Sequence, residues 1–353
     1  MVLQHFNFDD KDIKKKFKVS PGPISSWKYY YESYSYALNK IFETGLTMSY
    51  AFNPRGRAIM FLLRHNLELC LKYNLQENGL EIYNIHDFTE LVKGLETPPQ
   101  LLKIIKLVDF DPDGSSYRYY LNNDTGGPFF DDGITINVAR ILELHNLMVS
   151  NQEENFNVQP IAPIFDYYNR RNDWNLTLHM GECKGLGQIR THYDDTVALL
   201  INGVMEGRYS TNLLYLPLMF MLRHSLELAL KFCIIEASIM SPLISADDIG
   251  NEHSLSRLFR IYTEFLKKLD TSTLQDDVAT KLEEYLDQYG KLNGIIHELD
   301  SNSRQFRFPV NVKGKPVSFS TEKLKLTDVL QLYAFTDPLL NFTNLVLRDC
   351  NVI

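Results

Sequence analysis

The chain has 353 residues, of which 44% are hydrophobic and 23% charged, and its formal net charge is -8 at pH 7. This length and apolar content allow two folded domains and are unlike a disordered chain. The negative charge argues against a protein that coats nucleic acid through bulk electrostatics, although a local basic site stays compatible with it. We expect a cytoplasmic protein with reduced cysteines, no secretion signal and no membrane span, because no apolar run reaches span length and no cysteines are closely paired.

The predicted elements form two runs of the same order. The first run begins with a helix at 31–42 and a strongly apolar helix at 59–72, and a third helix opens at His86. A turn typical of a β-hairpin follows at 126–128, and a closing helix at 138–148 ends the run. The second run repeats this order at 193–204, 218–231, His253, 313–316 and 324–347. In its last helix, Pro338 is expected to cause a kink or an interruption.

The two apolar helices carry the strongest sign of an internal duplication. IMFLLRHNLELCLK at 59–72 and LMFMLRHSLELALK at 218–231 are identical at ten of fourteen positions. An aspartate and an arginine seven residues apart also recur ahead of each predicted hairpin, as Asp111 with Arg118 and Asp300 with Arg307. A repeat spacing of about 160 residues is too long for a solenoid and predicts two domains that pair about a pseudo-twofold axis.

We therefore predict a mainly α protein made of two tandem helical bundles, each with a small β-hairpin insertion, packed as a pseudo-twofold pair. The predicted boundaries are an N-terminal extension at 1–23, a first domain at 24–150, a linker at 151–175 and a second domain at 176–353. The pairing is intramolecular, and the sequence does not indicate any further oligomer.

A stripe of charged residues runs along each apolar helix. Arg64, Glu68 and Lys72 are spaced i, i+4, i+8, so they share one face, and His65 lies beside them. One interpretation is a structural ladder of ion pairs with hydrogen-bonded core histidines. Another is a polar pocket for a phosphate-bearing ligand, formed by Arg64, His65, Glu68, Lys72, His86 and Arg118 and mirrored by Arg223, His224, Glu227, Lys231, His253 and Arg307.

In the second interpretation, the two stripes face one another across a cleft between the copies and concentrate positive charge there. A metal site built from His65, Glu68 and His86 is a third interpretation. The adjacent arginine and lysine oppose a bound cation, and no second carboxylate recurs at a usable spacing. We predict neither a metal nor a cofactor.

The order of these motifs resembles the HEPN domains, a family of small helical bundles. The E-x-x-x-K element corresponds to Glu68 with Lys72 and to Glu227 with Lys231, and the following His-Asp-Leu element to His86-Asp87-Phe88 and His253-Ser254-Leu255. Arg118-Tyr119-Tyr120 and Arg307-Phe308-Pro309 look like the Arg-Tyr-Pro element that precedes the last helix in many members. The resemblance covers most of both copies.

The resemblance implies a protein that acts on RNA or a nucleotide, and many members are metal-independent ribonucleases of anti-phage or toxin–antitoxin systems that use an R-x4-6-H motif. Arg140 and His145 match that motif, but the second copy has Asp328 and Tyr333 at the aligned positions. A histidine base and an arginine that stabilises phosphate charge would suit this chemistry. The candidate catalytic pairs are Arg64 with His65, Arg223 with His224, and Arg140 with His145.

The alternatives are a non-catalytic module that binds a nucleotide or a partner protein, encoded with it in one operon, and a structural subunit of a larger complex. No P-loop, G-x-G-x-x-G or G-x-S-x-G element supports an ATPase, a dinucleotide oxidoreductase or a serine hydrolase.

Overall fold

The computed structural model is mainly helical, as the sequence predicts. It describes residues 7–47, 52–80, 85–96, 99–106, 108–109, 114–122, 126–150, 156–162, 176–181, 185–247, 249–272, 274–318, 320–346 and 348. The helices of this part of the chain are α1 (Lys11–Lys16), α2 (Trp27–Thr47), α3 (Gly56–Glu77), α4 (Phe88–Val92), α5 (Pro99–Ile105), α6 (Val138–Ser150), α7 (Leu186–Met205), α8 (Thr211–Met240), α9 (Leu255–Leu266), α10 (Asp276–Ser301) and α11 (Leu326–Asn341). Two strands, β1 (Ile134–Asn137) and β2 (Thr177–Met180), accompany them.

The chain divides into two compact units. The N-terminal unit consists of Val19–Phe220 and Arg304–Phe319, and the C-terminal unit of Met1–Lys18, Met221–Ser303 and Ser320–Ile353. This division differs from the sequence repeat, because residues 304–319 of the second copy belong to the N-terminal unit. The predicted boundaries at 24–150 and 176–353 therefore mark the repeat in the sequence rather than these units.

The N-terminal unit is built round α3, which packs against α2, α6 and α7. Nearly every residue of α3 from Gly56 to Leu75 is buried, which explains why the faces beside its charged stripe are apolar. The helix ends where Gly79 adopts a φ of +76°. The amide of Leu80 then donates to the carbonyl of Leu75 and that of Gly79 to the carbonyl of Gln76, which satisfies the last turn of the helix.

The third helix of each copy begins directly after the recurring histidine. His86 precedes Asp87, whose side chain accepts from the Glu90 amide and caps α4. In the second copy, Ser254 caps α9 in the same way by accepting from the Arg257 amide. The histidine thus lies at a fixed place in both copies, one residue before a helix cap.

The C-terminal unit contains the later part of α8 with α9, α10 and α11. Helix α10 contacts both α9 and α11, and the Ser225 hydroxyl lies 3.5 Å from that of Tyr333. Between His253 and the hairpin predicted at 313–316, the sequence predicts one helix, whereas the structure has two, α9 and α10. The additional helix, α10, is polar, and only three of its 26 residues are buried, so its apolar periodicity is weak. Helix α11 includes Pro338 and continues to Asn341, so this proline does not interrupt it, and a π-helical turn at Phe342–Val346 follows.

The β structure differs in position from the predicted hairpins. Each predicted hairpin contains one isolated antiparallel bridge, Leu121 with Pro128 and Val310 with Pro316. The two-stranded sheet lies elsewhere, where β1 pairs antiparallel with β2 and Ile134 lies opposite Met180. The strand immediately before α6 therefore finds its partner across the predicted linker, which local turn signals do not reveal.

Some predicted features lie outside the described residues, namely Asp111, Cys183, Cys350, residues 1–6 of the predicted extension and most of the 151–175 segment. Cys70 and Cys233 are buried, and neither forms a disulfide within the described residues. None of the described helices has both the length and the apolar content needed to cross a bilayer.

Candidate functional site

Glu68 is the centre of a buried ion network in the N-terminal unit. Its Oε1 lies 2.7 Å from Nζ of Lys72 and 2.8 Å from Nδ1 of His86, and its Oε2 lies 3.5 Å from the Arg64 guanidinium. Burial by itself would raise the pKa of the Glu68 carboxyl, but Lys72 and His86 outweigh it and hold this pKa well below its usual range. The i, i+4, i+8 spacing therefore forms the predicted ladder of ion pairs.

The ladder also fixes the position of His86. The Arg64 guanidinium donates to the backbone carbonyl of His86 at 3.3 Å. Gly114, at a φ of +71°, lies so close to Arg64 that a β-carbon there would come within 3.0 Å of its NH1 atom. A glycine at this position thus leaves room for the Arg64 side chain beside the histidine.

His65 has a different role from the one predicted for a catalytic base. Its Nε2 lies 3.0 Å from the backbone carbonyl of Arg307, so this nitrogen carries the hydrogen and donates it. Burial lowers the pKa of His65 to about 3, which keeps the ring neutral. His65 is therefore a hydrogen-bonded core histidine, as the structural interpretation of the stripe predicts.

His65 belongs to a set of side chains that hold one segment of the second copy. The hydroxyls of Tyr30 and Tyr34 donate to the carbonyls of Gln305 and Phe306, the latter at 3.0 Å. With His65, three successive carbonyls at 305–307 are thus bound by side chains of α2 and α3. The Phe308 ring then packs edge-on to Trp27 and lies 4.8 Å from Nζ of Lys72.

These contacts enclose a cavity of about 180 Å³ inside the N-terminal unit. Its lining is mostly cationic and aromatic, and consists of Phe61, Arg64, His65, Glu68, His86, Gly114, Arg118, Arg304, Arg307 and Phe308. Four arginines thus accompany one carboxylate in the described lining. Because that carboxylate is already bonded to Lys72 and His86, the cavity has an excess of positive charge.

Arg304 and Arg307 are the unusual members of this lining. The Nε and one terminal nitrogen of Arg304 are buried and have no hydrogen-bond partner among the described residues. The Arg307 guanidinium has no ion pair or side-chain hydrogen bond within the described ranges, and contacts the rings of Phe220 and Phe308. Burial, with Arg118 nearby, lowers the pKa of Arg307 to about 10, and burial also lowers the pKa of Arg304. A guanidinium group in a protein nevertheless stays charged near neutral pH. Buried cations without a counterion are costly, and an anion in the cavity would remove that cost.

The second stripe forms a similar network within the C-terminal unit. Glu227 lies 3.1 Å from both Arg223 and Lys231 and 2.9 Å from Nδ1 of His253. Arg223 also donates to Asp300 at 3.0 Å. Burial opposes ionisation of Glu227, yet His253 and Arg223 hold its pKa below the usual range. His224 is buried, with Nδ1 4.0 Å from the Glu227 carboxylate.

The structure separates Arg140 from His145. Both lie on the regular helix α6, but the Arg140 side chain is 63% exposed and pairs with Glu143, whereas His145 is fully buried against Phe42. In the part of the chain that the structure describes, neither ring nitrogen of His145 has a hydrogen-bond partner. Five residues correspond to about 140° of rotation on a helix, so these two side chains do not form one site.

The predicted pocket of the first copy is largely brought together, with one correction. Arg64, His65, Glu68, His86 and Arg118 all line the cavity, and Lys72 bonds to Glu68 behind it. The sequence places Arg307 with the second stripe, but in the structure it lines the cavity beside the first stripe. The reason is that residues 304–319 pack in the N-terminal unit. Arg304 and Phe308 were missed, although two arginines three residues apart in an acidic chain are a usable signal.

In the described ranges, no group of three or more His, Cys, Asp or Glu side chains is placed to hold a metal ion. No protein-family model, curated protein or solved structure matches this chain.

Proposed function

We propose that this chain binds RNA or a nucleotide through a phosphate group held in the arginine-lined cavity of its N-terminal unit. The observation that carries the proposal is the pair Arg304 and Arg307, two partly buried guanidinium groups without a carboxylate partner among the described residues. Guanidinium groups bind phosphate oxygens with charge-assisted hydrogen bonds, often two at a time.

The size of the cavity limits how much of the ligand it holds. Pockets for whole small molecules usually have volumes of about 300 Å³ or more, and this cavity has about 180 Å³. We therefore expect a phosphate group with its adjoining sugar to enter, while a base or a longer strand stays outside. Phe61 and Phe308 provide the aromatic surface that commonly accompanies phosphate contacts in proteins that bind single strands.

The resemblance to HEPN domains supports RNA or a nucleotide as the ligand. It also supports a metal-independent ribonuclease that acts in anti-phage defence or in a toxin–antitoxin system. A module that binds a nucleotide without cleaving it uses the same cavity. The phosphate contact is common to both versions of the proposal.

Replacement of Arg304 and Arg307 tests the proposal. Each charge-assisted hydrogen bond contributes about 1.5–3 kcal/mol, so Arg304→Gln and Arg307→Gln should each weaken binding of a fluorescent single-stranded RNA or of AMP about 10-fold or more. Fluorescence anisotropy measures the first ligand, and a ligand-dependent shift in Tm measures the second.

The same variants separate a ligand site from a structural ladder. Without ligand, Arg304→Gln should raise the Tm, because it removes a buried charge that lacks a partner. The control is Arg260→Gln, which removes one charge from the exposed surface of α9. Equal binding by the wild type and both cavity variants, or no binding of either ligand by the wild type, would overturn the proposal.

A further inference from the structure

The cavity contains a histidine–carboxylate pair as well as arginines. Nδ1 of His86 lies 2.8 Å from Oε1 of Glu68, and the imidazole of His86 lines the same cavity as Arg304 and Arg307. The His86 side chain is 30% exposed, unlike Glu68 at 3%. A base that is reachable by solvent therefore lies next to the buried cations.

The geometry fixes which nitrogen of His86 is free. Glu68 is ionised and can only accept hydrogen bonds, so Nδ1 of His86 must donate. In the neutral ring the lone pair is then on Nε2, which has no hydrogen-bond partner among the described residues. Arg64, which binds the His86 carbonyl, and Phe308, whose ring centroid is 5.7 Å from that of His86, hold the imidazole in place. A carboxylate that accepts from one ring nitrogen in this way fixes the tautomer and the orientation of the imidazole.

We propose that Nε2 of His86 is the general base of the cavity and that it activates the 2′-hydroxyl of a ribonucleotide whose 3′-phosphodiester is bound by Arg304 and Arg307. Glu68 is a positioning residue that fixes the tautomer of His86. This inference rests on the proposed function and adds the group that removes the proton.

The reaction needs no co-reactant other than water. His86 takes the proton of the 2′-hydroxyl as the 2′-oxygen forms a bond to phosphorus. The bond from phosphorus to the 5′-oxygen breaks, and this oxygen leaves with a proton from water. The products are a 2′,3′-cyclic phosphate and a 5′-hydroxyl, and the proton on His86 returns to solvent. The arginines stabilise the negative charge that develops on the phosphate oxygens.

The other histidines considered for this role are less suitable. His65 uses Nε2 to donate to the Arg307 carbonyl. His145 is fully buried and its helix places Arg140 on another face. His253 forms the equivalent pair with Glu227, but the neighbouring Arg223 is already bonded to Glu227 and Asp300.

The decisive variant is His86→Asn in the full-length chain. The asparagine amide can replace Nδ1–H as the donor to Glu68, but it has no basic nitrogen at the position of Nε2. General bases contribute about 10²–10⁴-fold to rate, so we expect cleavage of a fluorescent single-stranded RNA to fall by about 100-fold or more.

Two further measurements distinguish a loss of cleavage from a loss of RNA binding and from a general effect of replacing a histidine. An RNA with one 2′-deoxyribose at the cleavage position should bind to the wild type and to His86→Asn with equal affinity and be cleaved by neither. His297→Asn, on the exposed surface of α10, is the matched control and should cleave RNA like the wild type.

Several results would overturn the assignment of His86. These are binding of RNA without cleavage by the wild type, equal cleavage by His86→Asn, and cleavage of the 2′-deoxy substrate. The first of these leaves the proposed phosphate site intact. If the wild type did not bind RNA, the proposed function itself would be contradicted.

Discussion

Two histidines of this protein differ in role because their surroundings differ. His86 is partly exposed and bonded to the ionised carboxylate of Glu68. His145 is fully buried, and its two ring nitrogens have no hydrogen-bond partner among the described residues. Burial alone lowers the pKa of His145 to about 3. A histidine in an R-x4-H motif is therefore part of the core here, and the histidine before a helix cap reaches the cavity.

His145→Leu should stabilise the protein. The substitution replaces two buried polar atoms that lack hydrogen bonds with an apolar side chain, and such atoms cost about 1–3 kcal/mol each in proteins. We expect the free energy of unfolding, measured with urea, to rise by about 1 kcal/mol or more.

The matched control for this change is His297→Leu on the exposed surface of α10. An exposed substitution of this kind should stay within about 0.5 kcal/mol of the wild type. Destabilisation by His145→Leu would show that the ring nitrogens have partners in the folded protein.

At the scale of an element, the sequence predicts the central part of α3, at 59–72 of Gly56–Glu77. Its charged residues recur every four positions, which places them on one face of a helix whatever surrounds it. The end of the helix is equally local, because Gly79 adopts a φ of +76° that other residues rarely adopt.

Two glycine substitutions should therefore have effects of opposite sign. Nothing lies within 4 Å of a β-carbon added at Gly79 or at Gly290. Gly79→Ala should cost about 1 kcal/mol, because alanine is strained in the left-handed region. Gly290→Ala, inside α10, should add about 0.5–1 kcal/mol, because alanine favours a helix interior.

Urea unfolding of the two variants under the same conditions tests this difference. If both substitutions had effects of the same sign, the left-handed end of α3 would not contribute to stability as the structure indicates.

For the whole molecule, three histidines with lowered pKa values contribute to the way stability depends on pH. Burial lowers the pKa of His65 and His145 to about 3, and burial together with Arg57 lowers that of His192 to about 4, from an ordinary value of 6.5. Below pH 6.5 the unfolded chain therefore binds protons that the folded chain does not. The contribution of these groups is present above pH 6.5 and is lost as the pH falls.

We expect the free energy of unfolding to decrease between pH 6.5 and 4.5, by up to about 1.4 kcal/mol per pH unit for each histidine. Below about pH 4.5, protonation of Glu68 and Glu227, whose folded pKa values are lowered, adds a further loss. Urea unfolding at pH 7.5, 6.5, 5.5 and 4.5 measures the slope. His145→Leu should reduce this slope. A free energy of unfolding that stays constant between pH 6.5 and 4.5 would contradict the burial of these histidines.

The sequence by itself determined the helical class, the duplication and the ion networks around Glu68 and Glu227. These features depend on helix periodicity and on residues close in the chain, so the spacing of Arg, Glu and Lys is sufficient to predict them.

Only the tertiary structure decided which side chains meet in the cavity. Arg304 and Arg307 reach the first stripe because Tyr30, Tyr34 and His65 bind the carbonyls at 305–307, more than two hundred residues away. The pairing of β1 with β2 was decided in the same way. Contacts between distant segments depend on how complete surfaces fit together, and short motifs carry no information about that fit.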